Sequence, residues 1–226
     1  MQVLTWNLYH GRAVPPAGHD LLEVYAAIIA GWEWDVALLQ EVPPWWPPAL
    51  GRAARASARM ALTSRNLLLP VRRLLAERRP DVIRSNGGGA NAILVRGEPI
   101  AEHRAVTLRR HPERRVCHAV RLNSGLWCAN LHAQVHSEER AQADIALAAR
   151  STLGWAGGAP AVLGGDFNVR VPVATGFEHL AGNGVDHVLG RGVGPVTGRR
   201  TLERGRLSDH RPVRVTLGAH EARLSG

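Results

Sequence analysis

Several apolar runs in this sequence end in side chains that can hold a cation or move a proton. Val3-Leu4-Thr5-Trp6 ends in Asn7, and Val36-Ala37-Leu38-Leu39 ends in Gln40-Glu41. Trp127-Cys128-Ala129 leads to Asn130 and His132, and Val162-Leu163 runs through two glycines to Asp166 and Asn168. Val185 leads to Asp186, and Leu207-Ser208 leads to Asp209-His210. Taken singly, each polar residue has a plain structural role as a strand end, a turn or a solvated loop. Taken together, they can deliver carboxylates, amides and imidazoles to one rim, because ligands of α/β sheets bind at strand ends. The chemistry that suits such a set is hydrolysis at phosphorus. Oxygen donors such as Asn7, Glu41 and Asp209 match a hard divalent cation, Mg²⁺ or Mn²⁺. No HExxH pair or CxxC motif supports zinc. The cation would polarise a phosphoryl oxygen, and a carboxylate–histidine pair would activate water.

The stretch VLGGDFNV (162–169) shows how a strand would aim such groups. Its glycines permit close backbone approach at a sheet rim. Asp166 and Asn168, two residues apart, would face one side, and Phe167 would face the core.

The remaining elements must position these ends. Residues 2–8 open as a strand. Asp20, with Glu23 three residues on, predicts a capping box for a helix carrying Leu21, Val24, Tyr25, Ile28 and Ile29 on one face and ending at Gly31. Residues 35–42 form a continuous apolar strand. VPPWWPP (42–48) and SNGGGAN (85–91) read as loops, and 67–79 as an Arg-rich helix. Residues 90–96, 100–108, 115–122, 126–132, 159–165, 185–190 and 211–217 read as strands. Ser137 starts a helix with Ala141, Ile145, Ala148, Ala149 and Thr152 on one face. Strands alternate with helices at both ends around a central hairpin run, which predicts an α/β protein with mixed sheets covered by helices.

The chain of 226 residues has a net charge of +9, and all 28 basic residues are arginine. A strongly basic surface suggests a polyanionic partner, nucleic acid first. No apolar run is long enough for a membrane span. The N-terminus lacks a basic segment followed by an apolar core, which predicts no secretory signal. Cys117 and Cys128 lie on two runs joined by Asn123-Ser124-Gly125, a hairpin signal. A two-residue turn would set Cys117 opposite His132, and a three-residue turn opposite Leu131. In either register Cys128 is too far along the strand for a disulfide. Two free thiols fit a reducing compartment, and a cytoplasmic location is expected.

The motifs TWN (5–7), LQE (39–41), NLH (130–132), GDFN (165–168), VDH (185–187) and SDH (208–210) occur in the order seen in the endonuclease/exonuclease/phosphatase family, which the chain resembles over residues 5–213. GDFN followed by SDHRPV is the specific part of that signal. The resemblance implies one catalytic domain over 1–226, a four-layer α/β sandwich of two packed mixed sheets flanked by helices. It also implies roles. Asn7, Glu41 and Asp209 match metal ligands. Asp166 and Asn168 match the pair holding the attacking water and the scissile phosphate. His132 matches a phosphate-contacting or proton-donating histidine, His210 the active-site histidine, and Asp186 the carboxylate orienting it. Arg115, or its neighbour Arg114, matches a phosphate-binding arginine, and Asn91 a polar residue of the site. The tyrosine of abasic-site enzymes has no evident match, the only tyrosines being Tyr9 and Tyr25.

The substrate expected first is nucleic acid, because sixteen arginines lie between Arg52 and Arg121 and seven between Arg191 and Arg214. Arginines at a cleft mouth would track a phosphate backbone. Trp45 and Trp46 either stack on bases, enter a membrane interface or pack their loop. A phosphohydrolase of lipid head groups or of sugar or inositol phosphates is the alternative, and a catalytically inactive phosphate-binding module a third reading. A monomer is expected.

Overall fold

A computed structural model describes residues 1–82 and 89–219. Most of the loop expected over 85–91 therefore lies outside the described residues. Among those described, strands β1 (Gln2–Asn7), β2 (Val36–Val42), β3 (Ser57–Leu62), β4 (Ala90–Val95), β11 (Val196–Thr201) and β12 (Val213–Leu217) form one six-stranded sheet in the order β11-β12-β1-β2-β4-β3. Strands β5 (Ile100–Arg109), β6 (Arg115–Leu122), β7 (Trp127–His132), β8 (Ala161–Asp166), β9 (Glu178–Asn183) and β10 (Asp186–Arg191) form the second, in the order β5-β6-β7-β8-β10-β9. Each sheet is mixed: β1 and β2 run parallel, as do β7 and β8, and the other neighbours are antiparallel.

The layers follow from which strand faces are apolar. Val3, Val36, Leu38, Ile93, Val120, Val162 and Val188 meet between the sheets. The opposite face of the first sheet, including Leu4, Trp6, Leu39 and Leu94, packs under helices α1 (Leu22–Gly31) and α2 (Pro47–Ala54). The opposite face of the second sheet packs under helix α4 (Glu138–Ala156). This is the four-layer sandwich that the family resemblance implies, and its mixed, helix-covered sheets are those the strand and helix pattern predicts. Ser137 caps α4 by accepting from the Arg140 amide, and its expected face, from Ala141 to Thr152, is buried as read. Helix α3 (Leu69–Arg78) buries none of its residues.

Several local expectations need correction. Asp20 does bond the start of α1, accepting from the Leu22 amide at 3.0 Å, but the cap position is Leu21, so no capping box forms with Glu23. Val24 is 46% exposed and Ala26 takes its place, because residues 22, 25, 26 and 29 share the inner face at 100° per residue. The loop expected over 42–48 ends early: Pro47 and Pro48 open α2, where a missing amide hydrogen costs nothing. Trp46 is core, packed on Tyr25 and over Gly11, and is not available for stacking on a base. The turn at 123–125 has three residues, so Cys117 faces Leu131; both cysteines are free and buried.

Two polar residues of the motifs hold the sheets together. Gln40 Nε2 donates across the interface to Asn130 Oδ1 at 2.8 Å, and Asn130 Nδ2 returns bonds to the Leu39 and Ala92 carbonyls, each at 2.9 Å. Both side chains are fully buried, where an unmade hydrogen bond costs about 1–3 kcal/mol. The glycines of GGDFN are required by close approach. A Cβ on Gly165 would strike the Leu131 carbonyl oxygen of the neighbouring parallel strand, and one on Gly164 would lie 2.7 Å from Leu38 of the facing sheet. Phe167 packs into the core beneath α4, as its alternation predicts.

Buried histidines make the fold acid-sensitive. His118 is fully buried on β6, with Nδ1 3.1 Å from His103 Nε2, and burial pushes its pKa down to about 3. The unfolded chain protonates this ring near 6.5, so it binds more protons than the folded one at lower pH. The stability this contributes is full above about pH 6.5 and is lost as pH falls toward about 3, at about 1.4 kcal/mol per unit. Thermal unfolding followed from neutral to acid pH should show a falling midpoint, and His118→Gln should flatten that fall. An unchanged pH dependence in the variant would refute this assignment.

Candidate active site

The topology brings the polar ends to one rim. Asn7 ends β1, Glu41 stands near the end of β2, and His132 and Asp166 end the parallel pair β7 and β8. Antiparallel β6 and β10 begin at the same rim with Arg115 and Asp186, and Asp209-His210 precede antiparallel β12. The two sheets meet there: Asn7 Nδ2 donates to Asp166 Oδ2 at 2.9 Å across the interface. Asn7, Glu41, Arg115, His132, Asp166, Asn168, Asp209 and His210 all line a cleft of about 320 Å³. Asp186 stands behind it, joined to His210. Asn91 is set apart: it is fully buried within β4, donates to the Val116 carbonyl at 3.0 Å and does not line the cleft. Of the two neighbouring arginines, Arg115 enters the cleft and Arg114 is exposed.

The backbone is strained where the site is built. Among the described residues, Tyr9, His10, Glu41, Asn168 and Ser208 all have positive φ without being glycine. Such conformations cost on the order of 1–3 kcal/mol and cluster at functional sites. At Ser208 the strain is held by Oγ, which donates to the Asn7 carbonyl at 2.7 Å and accepts from the His210 amide at 3.0 Å. The Ser of SDH thus fastens the histidine loop to the end of β1.

Asp166 is the centre of the polar network. Its carboxylate accepts from Asn7 and, at 3.0 Å, from the Asn168 amide; His132 Nε2 lies 3.5 Å away and His210 Nε2 3.8 Å. Burial, reinforced by the nearby Asp186 charge, pushes its pKa up to about 7. His210 Nδ1 bonds Asp186 Oδ2 at 2.8 Å, which turns Nε2 toward Asp166 and Asp209. Burial opposes charge on this ring, but the Asp186 hydrogen bond and the carboxylates around it raise its pKa to about 9. Burial raises the Asp186 pKa above the usual carboxylate range, with the bond from His210 acting in the opposite sense. His132 goes the other way: burial, then the positive charges of Arg115 and His210, hold its pKa well below the ordinary value.

Five further residues line the cleft that the strand-end pattern does not reveal: Tyr9, His10, Arg65, Glu113 and Val135. His10 Nε2 lies 3.2 Å from Glu41 Oε2, on the turn that follows β1. Glu113 joins both Arg115, at 2.7 Å, and Arg65. Their loops carry no apolar periodicity; the proximity of His10 to TWN was the only signal available. Tyr9 also lines the cleft, while the Tyr25 hydroxyl is committed to the Leu8 and Arg12 carbonyls.

The sequence model of the Endonuclease/Exonuclease/phosphatase family matches residues 4–210. The chain belongs to that family. No curated protein sequence matches it. Among solved structures, an endonuclease/exonuclease/phosphatase from Beutenbergia cavernae superposes with a TM-score of 0.73 at 19% identity, covering 97% of this chain and 72% of the other. A mannosyl-6-phosphatase from Bacteroides thetaiotaomicron gives 0.67 at 16% identity, covering 96% and 99%. A truncated TDP2 from Caenorhabditis elegans gives 0.66 at 16% identity, covering 96% and 97%. These likenesses establish the shared sandwich. The family consists of phosphoric ester hydrolases that are generally dependent on a divalent metal.

Which donors fit a cation follows from their existing bonds. Asp166, Asp186 and His210 each place one ligand atom within 4.8 Å of the others. His210 Nδ1 and Asp186 Oδ2 are already hydrogen-bonded to one another at 2.8 Å. Glu41 and Asp209 offer carboxylates in the cleft. Asn7 Oδ1 accepts one bond, from the Tyr9 amide at 2.9 Å, and keeps its second lone pair. Glu41, Asp209 and Asn7 together are an all-oxygen set that fits a hard divalent cation.

Proposed function

We propose that the chain is a divalent-metal-dependent phosphodiesterase, one catalytic domain whose first substrate is nucleic acid. The observation that carries this reading is the convergence of Asp166, His210 and His132 beside the oxygen donors Glu41, Asp209 and Asn7 in one cleft. Mg²⁺ or Mn²⁺ held by those three donors would polarise a phosphoryl oxygen and offset charge on the leaving oxygen.

The protein's own groups supply the rest. A carboxylate with a pKa of about 7 is well matched to accept a proton from water near neutral pH, which gives Asp166 the role of base. Asn168, anchored through Nδ2 to the Ala133 carbonyl at 2.9 Å, keeps its amide oxygen free to orient that water or the phosphate. His210, charged at neutral pH and fixed by Asp186, directs Nε2–H at the phosphate oxygens. His132, held neutral, suits a hydrogen-bonding role better than that of a proton donor. Arg115 enters the cleft with its Nε buried and without a partner among the described residues, a group prepared to bind an anion.

The exposed arginines Arg114, Arg170, Arg206 and Arg211 sit within three residues of site residues in the chain, and Arg65 lines the cleft; together they support a polyanionic substrate. Two buried thiols suit a reducing, cytoplasmic setting, and we take the working unit as a monomer. A second reading, cleavage of a phospholipid head group, is favoured by the leucine-bearing helix α3 beside the cleft.

A substrate panel with Mg²⁺ and with chelator tests the assignment: plasmid DNA, single-stranded DNA, RNA, sphingomyelin and inositol phosphates. The expected result is metal-dependent cleavage of at least one nucleic acid. Turnover of sphingomyelin or inositol phosphates alone would select the second reading. Binding without turnover of any ester would leave only a phosphate-binding module.

A further inference from the structure

Helix α3 is fixed in place, yet among the described residues its apolar side is left exposed. Asn66, just before it, is bound in both directions to Gly89, accepting from the amide at 3.0 Å and donating to the carbonyl at 2.8 Å. Asp81, just after it, pairs with Arg12 at 3.1 Å and accepts from the Gly18 amide at 2.8 Å. Between these anchors, Leu69, Arg72 and Ala76 are half-buried toward the protein, and Ala76 and Pro80 border a small hollow with Trp45, Trp46 and His10. The opposite face carries Val71, Leu74 and Leu75 at i, i+3 and i+4, exposed by 52%, 46% and 41%, with Leu67 and Leu68 continuing the stripe at 78% and 66%. Arg73, Arg78 and Arg79 are exposed around it, against the single acid Glu77, which is paired with Arg73.

Further exposed apolar residues lie near the site residues in the chain. Val135 lines the cleft, and Val171 and Val173 lie on the loop that leaves Asn168; all three are more than half exposed.

We infer that the exposed apolar face of α3 docks on an anionic phospholipid surface. An apolar stripe bordered by arginine is the pattern of a helix lying in a bilayer interface, where leucine enters the acyl boundary and arginine meets lipid phosphate. A nucleic-acid duplex offers nothing for five leucine and valine side chains to bury against. A second copy of this helix across a two-fold axis would set like arginines near one another. The docking concerns where the protein works and stands whichever ester it cleaves.

The test is co-sedimentation of the full chain with phosphatidylcholine vesicles, with and without phosphatidylserine. The triple variant Val71→Ser, Leu74→Ser, Leu75→Ser is measured beside wild type, with circular dichroism as a folding control. Hydrolysis of the soluble diester bis(p-nitrophenyl) phosphate is followed in parallel. Wild type should sediment with the anionic vesicles, and the variant should bind about tenfold more weakly or worse while keeping its rate on any soluble ester that wild type cleaves. Vesicle binding without hydrolysis of the soluble ester would uphold the docking and count against the phosphodiesterase reading. Wild type remaining in the supernatant, or equal binding by a folded variant, would overturn the docking. So would loss of DNA retention in place of vesicle binding, or a dimer that the triple substitution dissolves.

Discussion

His210→Ala should lower turnover by roughly 10²–10⁴-fold, the usual contribution of a positioned acid–base group. The ring links Asp186 to the cleft: Nδ1 bonds Asp186 Oδ2 at 2.8 Å, and Nε2 lies 3.8 Å from both Asp166 and Asp209. Removing it takes away the positive charge proposed to face the phosphate and, among the described residues, leaves buried Asp186 with neither oxygen bonded, since Oδ1 already lacks a partner. Some loss of stability is therefore expected as well, about 1–3 kcal/mol for a buried acceptor left unpaired. His210→Asn separates the two effects, because its amide can still donate to Asp186 but cannot carry charge. The expected pattern is a near-normal unfolding temperature with turnover as low as in the alanine variant. Asp186→Asn should lose less, as it touches no reacting atom. A folded His210→Asn protein with wild-type rates would show that SDH is only a turn.

Glu41→Gln should abolish metal-supported activity, with a loss of about 100-fold or more. Glu41 is one of the three oxygen donors proposed to hold the cation. Its left-handed backbone, φ 51°, holds the carboxylate on the rim, with His10 at 3.2 Å and His132 at 4.0 Å. The amide retains size and one oxygen but removes the charge that a hard cation requires. Metal affinity should fall with turnover, measured by calorimetric titration of Mn²⁺ into both proteins. The fold should be unaffected, because the side chain is partly exposed and is not part of the Gln40–Asn130 bridge between the sheets. Equal Mn²⁺ affinity in the two proteins would move the cation site elsewhere.

The central strands were legible because they are buried on both faces and read as continuous apolar runs, as in VALLQ and WCANL. The edge strands β3, β9 and β11 were not. They are held by backbone pairing, are largely exposed and carry sequences such as VTGRRT, with no apolar period to read. Helix α2 was hidden for a different reason: its prolines signal a loop unless the chain is known to turn helical after them. At the site, carboxylates and histidines adjoining apolar strands were visible, and the antiparallel direction of β6 and β10 explains why Arg115 and Asp186 join the rim from strand beginnings. His10, Arg65 and Glu113 reach the cleft from loops whose course depends on tertiary contacts, which no local pattern encodes. Asn91 illustrates the converse: its place in NAIL resembles a site position, yet its side chain turns to the Val116 carbonyl within the sandwich.

The most direct measurement is the rate of plasmid DNA hydrolysis by metal-stripped protein before and after Mg²⁺ or Mn²⁺ is returned, with Glu41→Gln run alongside. The predicted result is no cleavage by the stripped protein, recovery on adding either cation, and no recovery in the variant. Full cleavage after exhaustive chelation, or a Glu41→Gln protein that recovers like wild type, would contradict a metal-dependent phosphodiesterase centred on this cleft.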